Sequence, residues 1–167
     1  MRAYEIWPGL SEALNHELLE AACLRDKRLY RKAVQDLGAA LHKRAHQLLE
    51  LPRAARHELL RAPLGLAKFD TLGYNLIINW LRGAGEPMLV MFLDGLGIAH
   101  DGHGCAEKFP EALADARLEQ ACRVLYERFP AEQATLYLRV FPNITGVAWG
   151  VEVEKFVRPA APPVTGA

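Results

Sequence analysis

The sequence predicts an all-α fold, a compact bundle of six to eight helices around a buried helical hairpin at residues 72–100. Two strongly apolar segments, LGYNLIINWL and MLVMFLDGLGIAH, are separated only by RGAGEP. A helix that is apolar almost all round belongs inside a protein. Amphipathic helical periodicity recurs through most of the remaining chain, and no two segments alternate well enough to form a sheet.

The segments before the hairpin have the apolar spacing of helices. Ser11 is a candidate N-cap for a helix that extends to Leu24. Between Asp26 and Leu51, apolar residues recur at steps of three or four, which predicts one amphipathic helix of about seven turns. Pro52 interrupts this pattern and is placed to open a short helix through Leu60.

The hairpin and the segments after it are delimited by capping and helix-breaking residues. Asp70 can cap the first apolar helix, and Pro87 can open the second. A polar loop, HDGHGCAEKF, follows the second helix. Two further amphipathic helices are expected at residues 115–129 and 131–141.

The end of the chain is the one candidate for non-helical structure. Residues 143–157 are predicted to be irregular or to form a final short helix that packs Trp149 onto the bundle; a short strand is the alternative. We expect a single helical domain over residues 1–157. A disordered tail rich in Pro and Ala is expected over residues 158–167.

Composition restricts the classes of partner. The 167 residues include 20 Lys or Arg and 20 Asp or Glu, so the formal net charge is zero. This balance argues against binding of nucleic acid or an anionic membrane by the charge of the whole protein. Residues 25–61, however, carry ten Lys or Arg against four Asp or Glu, which leaves open a basic face or an ordinary solvated helix surface.

Three observations predict a soluble cytoplasmic protein that does not enter a membrane. The N-terminus lacks the apolar region of a secretory signal. The apolar runs are shorter than the ~20 residues that a membrane-spanning helix needs, and Asn75, Asn79 and Asp94 would be costly in lipid. Finally, the three cysteines are scattered and odd in number, which is typical of reduced thiols.

The polar loop after the hairpin contains the densest set of potential metal ligands. His100, Asp101, His103 and Cys105 offer two imidazoles, a carboxylate and a thiol to a divalent metal such as zinc. A polar loop of turn-forming residues is the alternative interpretation. His42 and His46, at positions i and i+4 of the long predicted helix, would add a second pair of imidazoles on one helical face.

Polar residues within the apolar hairpin predict a second candidate site. Asn75, Asn79, Asp94 and His100 would line a ligand pocket in which Asp94 orients the His100 ring. The alternative is structural, because buried amides and carboxylates need partners wherever they lie. Asp94 would then simply cap the turn at Gly95.

The sequence contains no catalytic signature. It lacks the glycine-rich nucleotide-binding patterns, and its single serine, Ser11, is placed to cap a helix. The leading hypothesis is therefore a small helical interaction or accessory protein that holds a partner protein or a small ligand. The alternatives are a metal-dependent enzyme or metal sensor centred on His100 and His103, and a nucleic-acid-binding protein that uses residues 25–61.

Overall fold

A computed structural model of the chain describes residues 1–158, and these residues confirm the all-α class. They form nine α-helices and four 3-10 helices and contain no strand. The α-helices are α1 (Ala3–Ile6), α2 (Glu12–Arg25), α3 (Lys27–Ala40), α4 (Ala45–Leu49), α5 (Arg53–Arg61), α6 (Asp70–Leu81), α7 (Glu86–Leu96), α8 (Asp115–Arg128) and α9 (Ala131–Thr145). The 3-10 helices are Trp7–Gly9, Ala62–Gly65, Ala67–Phe69 and Ala148–Phe156.

The helix count in the described residues exceeds the predicted six to eight, partly because the predicted helix over residues 26–51 is broken. Helix α3 ends at Ala40, and α4 begins only at Ala45. Between them His42 has a φ of 55°, in the left-handed region, and the Lys43 amide donates to the Gly38 carbonyl at 2.9 Å. The prediction that His42 and His46 share one helical face is therefore wrong.

The chain divides into two compact units. The N-terminal unit is Arg2–Gly83; the C-terminal unit is Met1 together with the described residues from Ala84 onward. Helix α6 belongs to the first unit, where it packs against α1, α2 and α3, and α7 belongs to the second, where it packs against α8. The predicted hairpin is therefore not a common core for the whole chain. Apolar periodicity predicts that a helix is buried, but it does not predict which other helices cover it.

The predicted burial of the apolar helices is nevertheless confirmed. Trp80 on α6 is 1% exposed, and Phe92 on α7 is fully buried. That the chain forms a single domain over residues 1–157 stays a prediction. Of the predicted tail, residues 159–167 lie outside the described residues.

The N-terminal unit is organised around α2, whose N-terminus is capped as the sequence suggests. The Leu14 amide donates to Ser11 Oγ at 3.2 Å, so the predicted N-cap is confirmed. Asp26 then caps α3, since its Oδ1 accepts from the Leu29 amide at 2.9 Å. Helix α2 packs against α3, α5 and α6, so its side chains face other helices on several sides.

The C-terminal unit has an aromatic core. Phe92 contacts Tyr137 and Phe141 edge to face, with ring centroids 5.3 and 5.1 Å apart. The 3-10 helix Ala148–Phe156 buries Trp149, whose indole nitrogen donates to the Pro110 carbonyl at 2.9 Å. This confirms the interpretation of residues 143–157 as a segment that packs Trp149, with no strand among the described residues.

Within the described residues, no single helix is long and apolar enough to cross a membrane. The consecutive segments Ala67–Leu81 and Glu86–Leu96 are long and apolar enough only when they are taken together, by length and composition alone.

Candidate metal centre

Two helices of the N-terminal unit bring together three potential metal ligands that the sequence analysis did not select. Helix α2 contributes His16 and Glu20, and α5 contributes His57. One ligand atom from each of these residues lies within 4.8 Å of the other two. We call these three residues the His–Glu–His cluster.

Helical geometry explains how the cluster forms. His16 and Glu20 are four residues apart, so their side chains lie one above the other on the same face of α2. Because α2 packs against α5, that face meets His57, which is only 2% exposed. The cluster therefore depends on a local spacing and on one helix–helix contact.

The two ring nitrogens of His57 have different neighbours. Its Nδ1 lies 3.1 Å from His16 Nδ1, and its Nε2 lies 2.9 Å from the Tyr30 hydroxyl. We assign the proton of the neutral ring to Nε2, which then donates to the Tyr30 oxygen. The Nδ1 lone pair consequently faces His16, and Tyr30 orients the His57 ring in the way that hydrogen-bond acceptors orient metal-ligating imidazoles.

The surroundings of His57 keep its ring neutral. The His57 pKa is lowered to about 4, mainly by burial; the nearby His16, Arg56 and Arg53 contribute to this lowering, and the charge of Glu20 opposes it. Burial also raises the Tyr30 pKa to about 12, so its hydroxyl keeps its proton. A neutral imidazole is the form that binds a metal, so His57 is available as a ligand throughout the neutral pH range.

Glu20 presents a carboxylate oxygen without a hydrogen-bond partner. Its Oε1 accepts from the Arg53 guanidinium. Its Oε2 is buried and has no hydrogen-bond partner among residues 1–158. A buried acceptor without a partner costs about 1–3 kcal/mol, and a bound cation would remove that cost.

The cluster adjoins a cavity of about 440 Å³. Its walls include two of the three cluster residues and several small side chains; the lining residues are Glu12, Ala13, Asn15, His16, Ala54, Ala55, His57, Glu58 and Arg61. A metal held by the cluster would therefore have space beside it for a further ligand.

The donor set fits a divalent transition metal. Two histidines and one glutamate form the ligand set of several catalytic zinc sites and of the iron facial triad. With a metal–nitrogen distance of about 2.1 Å, the 3.1 Å separation of the two Nδ1 atoms corresponds to an N–metal–N angle of about 95°. This angle lies between octahedral and tetrahedral geometry.

The structure brings together one pair of the predicted ligand-site residues, in the C-terminal unit. Asp94 Oδ1 lies 3.0 Å from His100 Nε2, the contact expected if Asp94 orients this ring. His100 Nδ1 accepts from the Gly102 amide at 3.1 Å, so both ring nitrogens have a partner. The Asp94 side chain is 68% exposed, and the His100 side chain only 9%.

The other residues of this loop also make local contacts. Asp101 Oδ1 accepts from the amides of His103 and Cys105, at 2.7 and 3.0 Å, and these bonds lower the Asp101 pKa. His103 Nδ1 lies 3.0 Å from Glu86 Oε1, which raises the His103 pKa. In the part of the chain that is described, three ligand atoms converge at the His–Glu–His cluster and not at this loop. The metal site at His100, Asp101, His103 and Cys105 stays a prediction.

The remaining predicted ligand-site residues lie on α6 of the N-terminal unit. Asn75 is exposed. Asn79 is half-buried, and its Oδ1 has no hydrogen-bond partner among the described residues. A pocket that these two amides share with Asp94 and His100 stays a prediction.

A sequence signal for the His–Glu–His cluster does exist. The segment HELLE, from His16 to Glu20, has the i,i+4 spacing with which one helix supplies two metal ligands. His57 lies three residues before Leu60 in an amphipathic helix, which places it near the buried face. The pairing of α2 with α5 is a tertiary contact that neither local pattern contains.

No family model, curated protein or solved structure matches this chain.

Proposed function

We propose that this protein binds a divalent transition-metal ion, such as Zn²⁺, through His16, Glu20 and His57. The observation that carries the proposal is the 3.1 Å approach of the two Nδ1 atoms, with a carboxylate oxygen within 4.8 Å of both ligand nitrogens. Imidazole and carboxylate ligands suit zinc and the neighbouring first-row metals. The depressed pKa of His57 means that no proton has to leave the ring before a metal binds at neutral pH.

The site has the character of a reactive or regulatory metal site. Structural zinc sites are closed by four protein ligands, whereas catalytic sites use three and leave a position open. Here three protein ligands adjoin a cavity. The proposal therefore keeps the class of metal-dependent enzyme or metal sensor and moves its centre from the His100–Cys105 loop to α2 and α5. A role in holding a partner protein, and a cytoplasmic location, remain predictions.

Zinc titration of the untagged, EDTA-treated protein tests this proposal. We expect one equivalent of Zn²⁺ to bind in competition with a chromophoric chelator. His16→Ala and His57→Gln should each weaken the affinity by about 100-fold or more, since each removes one of three protein ligands. His46→Ala is the matched control, because His46 is exposed on α4.

Two further variants separate the candidate metal sites. His100→Ala and His103→Ala should leave the zinc affinity unchanged. If these two variants lose zinc while His16→Ala and His57→Gln retain it, the metal lies in the predicted loop and the proposal is wrong. Circular dichroism of each variant establishes that the helices are retained.

The Arg53 guanidinium donates to Glu20 Oε1 and places a positive charge beside the proposed metal. Replacing Arg53 by Gln frees Glu20 Oε1 and removes a positive charge beside the cluster. We expect Arg53→Gln to tighten Zn²⁺ binding by about tenfold at low salt. Arg28→Gln, which removes an exposed charge on α3, serves as the control and should change the affinity little. Equal affinities for the two variants would contradict a direct role of Arg53 at Glu20.

A further inference from the structure

One residue that lines the cavity beside the His–Glu–His cluster, Asn15, has a polar atom that the proposed metal does not use. Asn15 is 2% exposed and lines the cavity. Its Nδ2 donates to the Leu10 carbonyl at 3.0 Å and to the Ser11 carbonyl at 2.8 Å. Its Oδ1 is buried and has no hydrogen-bond partner among residues 1–158.

The chemistry of Asn15 fixes what a ligand must provide. Both protons of Nδ2 are already used, so only the acceptor Oδ1 remains. The complementary group on a ligand is therefore a hydroxyl or an N–H donor. Asn15 directly precedes His16, and both residues line the same cavity. A ligand in this cavity therefore lies beside both Asn15 and one of the proposed metal ligands.

The cavity walls favour a small ligand with an anionic end. An open position on a divalent metal takes an anionic oxygen well. Ala13, Ala54 and Ala55 provide small apolar walls, and a volume of about 440 Å³ is in the usual range of ligand pockets. Arg61 also lines this space; its guanidinium lies 3.7 Å from Glu12 Oε1 and donates to the Leu10 carbonyl at 3.4 Å.

We infer that this cavity binds a small α-hydroxy carboxylate. Its carboxylate and hydroxyl oxygens chelate the metal, and its hydroxyl proton is donated to Asn15 Oδ1. Coordination of the hydroxyl oxygen polarises the O–H bond and makes it a stronger donor, which suits a buried acceptor. This inference rests on the proposed metal site, because the chelate requires a metal at His16, Glu20 and His57.

Lactate and propionate provide the direct comparison, because they differ by one hydroxyl group. Each is titrated into the full-length protein loaded with Co²⁺, and the visible absorption of the cobalt reports ligand binding. We expect lactate to bind about tenfold or more tightly than propionate, since propionate leaves Asn15 Oδ1 without a donor. Equal affinities, or no spectral change with lactate, would overturn the inference.

A cavity-filling variant separates the ligand site from the metal site. Ala54 precedes His57 by one helical turn and lines the cavity, so Ala54→Phe should fill that space without removing a metal ligand. We expect this variant to bind Zn²⁺ like the wild type and to bind lactate at least tenfold more weakly. Ala39→Phe, at an exposed position of α3, is the matched control and should bind both normally.

The two proposals fail in different ways. If the protein binds Zn²⁺ and Co²⁺ but does not prefer lactate, the metal site stands and the ligand inference is wrong. If it binds neither metal, both proposals are wrong. Unchanged lactate binding by Ala54→Phe, with metal bound, would place the ligand outside this cavity and also overturn the inference.

Discussion

Lowering the pH from about 6.5 to about 4 is expected to destabilise the metal-free protein by about 3 kcal/mol through His57 alone. The pKa of this histidine is about 4 in the folded protein, against an ordinary value of 6.5. Between these two values the unfolded chain binds a proton that the folded protein does not bind, so the free energy of unfolding falls as the pH falls. The contribution of His57 is fully present above pH 6.5 and is lost as the pH approaches 4.

The measurement is urea unfolding of the wild type and His57→Gln, in EDTA, at several pH values between 7 and 4. Titrating groups distant from position 57 are common to both proteins and cancel in the difference. The wild type should lose about 3 kcal/mol relative to the variant across this range, at about 1.4 kcal/mol for each pH unit of the pKa shift. Parallel pH profiles would show that the folded protein does not depress the His57 pKa.

Replacing Phe92 by Ala is expected to destabilise the C-terminal unit by about 3–5 kcal/mol. Phe92 is fully buried, and its ring contacts both Tyr137 and Phe141 edge to face. The variant loses the transfer free energy of the ring, leaves a cavity between α7 and α9, and removes two favourable aromatic contacts. Hydrogen exchange of the α8 and α9 amides should accelerate accordingly.

Val151→Ala provides the matched control within the same unit. Val151 is 64% exposed, so its truncation should change stability by no more than about 0.5 kcal/mol. If the α8 and α9 amide hydrogens exchange at similar rates in Phe92→Ala and Val151→Ala, the aromatic side chains around Phe92 are not the core of the C-terminal unit.

The sequence predicted which helices are buried better than it predicted their neighbours. The all-round apolarity of the segments that contain Trp80 and Phe92 reports burial directly. The partners of these helices depend on contacts distant in sequence, so the two segments appeared to form one hairpin core. The break at His42 is hidden in the sequence for a related reason: Leu41 and Leu48 continue the apolar spacing across the turn that follows α3.

The candidate metal centre shows more clearly that local sequence patterns do not predict which helices come into contact. Local spacing is visible without a structure, so the sequence pattern favours histidines that are close together in the chain, such as His100 and His103. The His–Glu–His cluster joins residues 41 positions apart, His16 and His57. By contrast, the contact between Asp94 and His100 spans six residues, a separation at which the sequence alone predicts that Asp94 can orient this ring.

The distribution of tryptophans gives each unit its own optical reporter. Trp7 and Trp80 lie in the N-terminal unit and Trp149 in the C-terminal unit, and all three are buried. In a Trp149→Phe protein, indole fluorescence arises only from the unit that holds the His–Glu–His cluster. In a protein with Phe at positions 7 and 80, it arises only from the other unit. The melting of each unit can thus be followed separately in the intact chain.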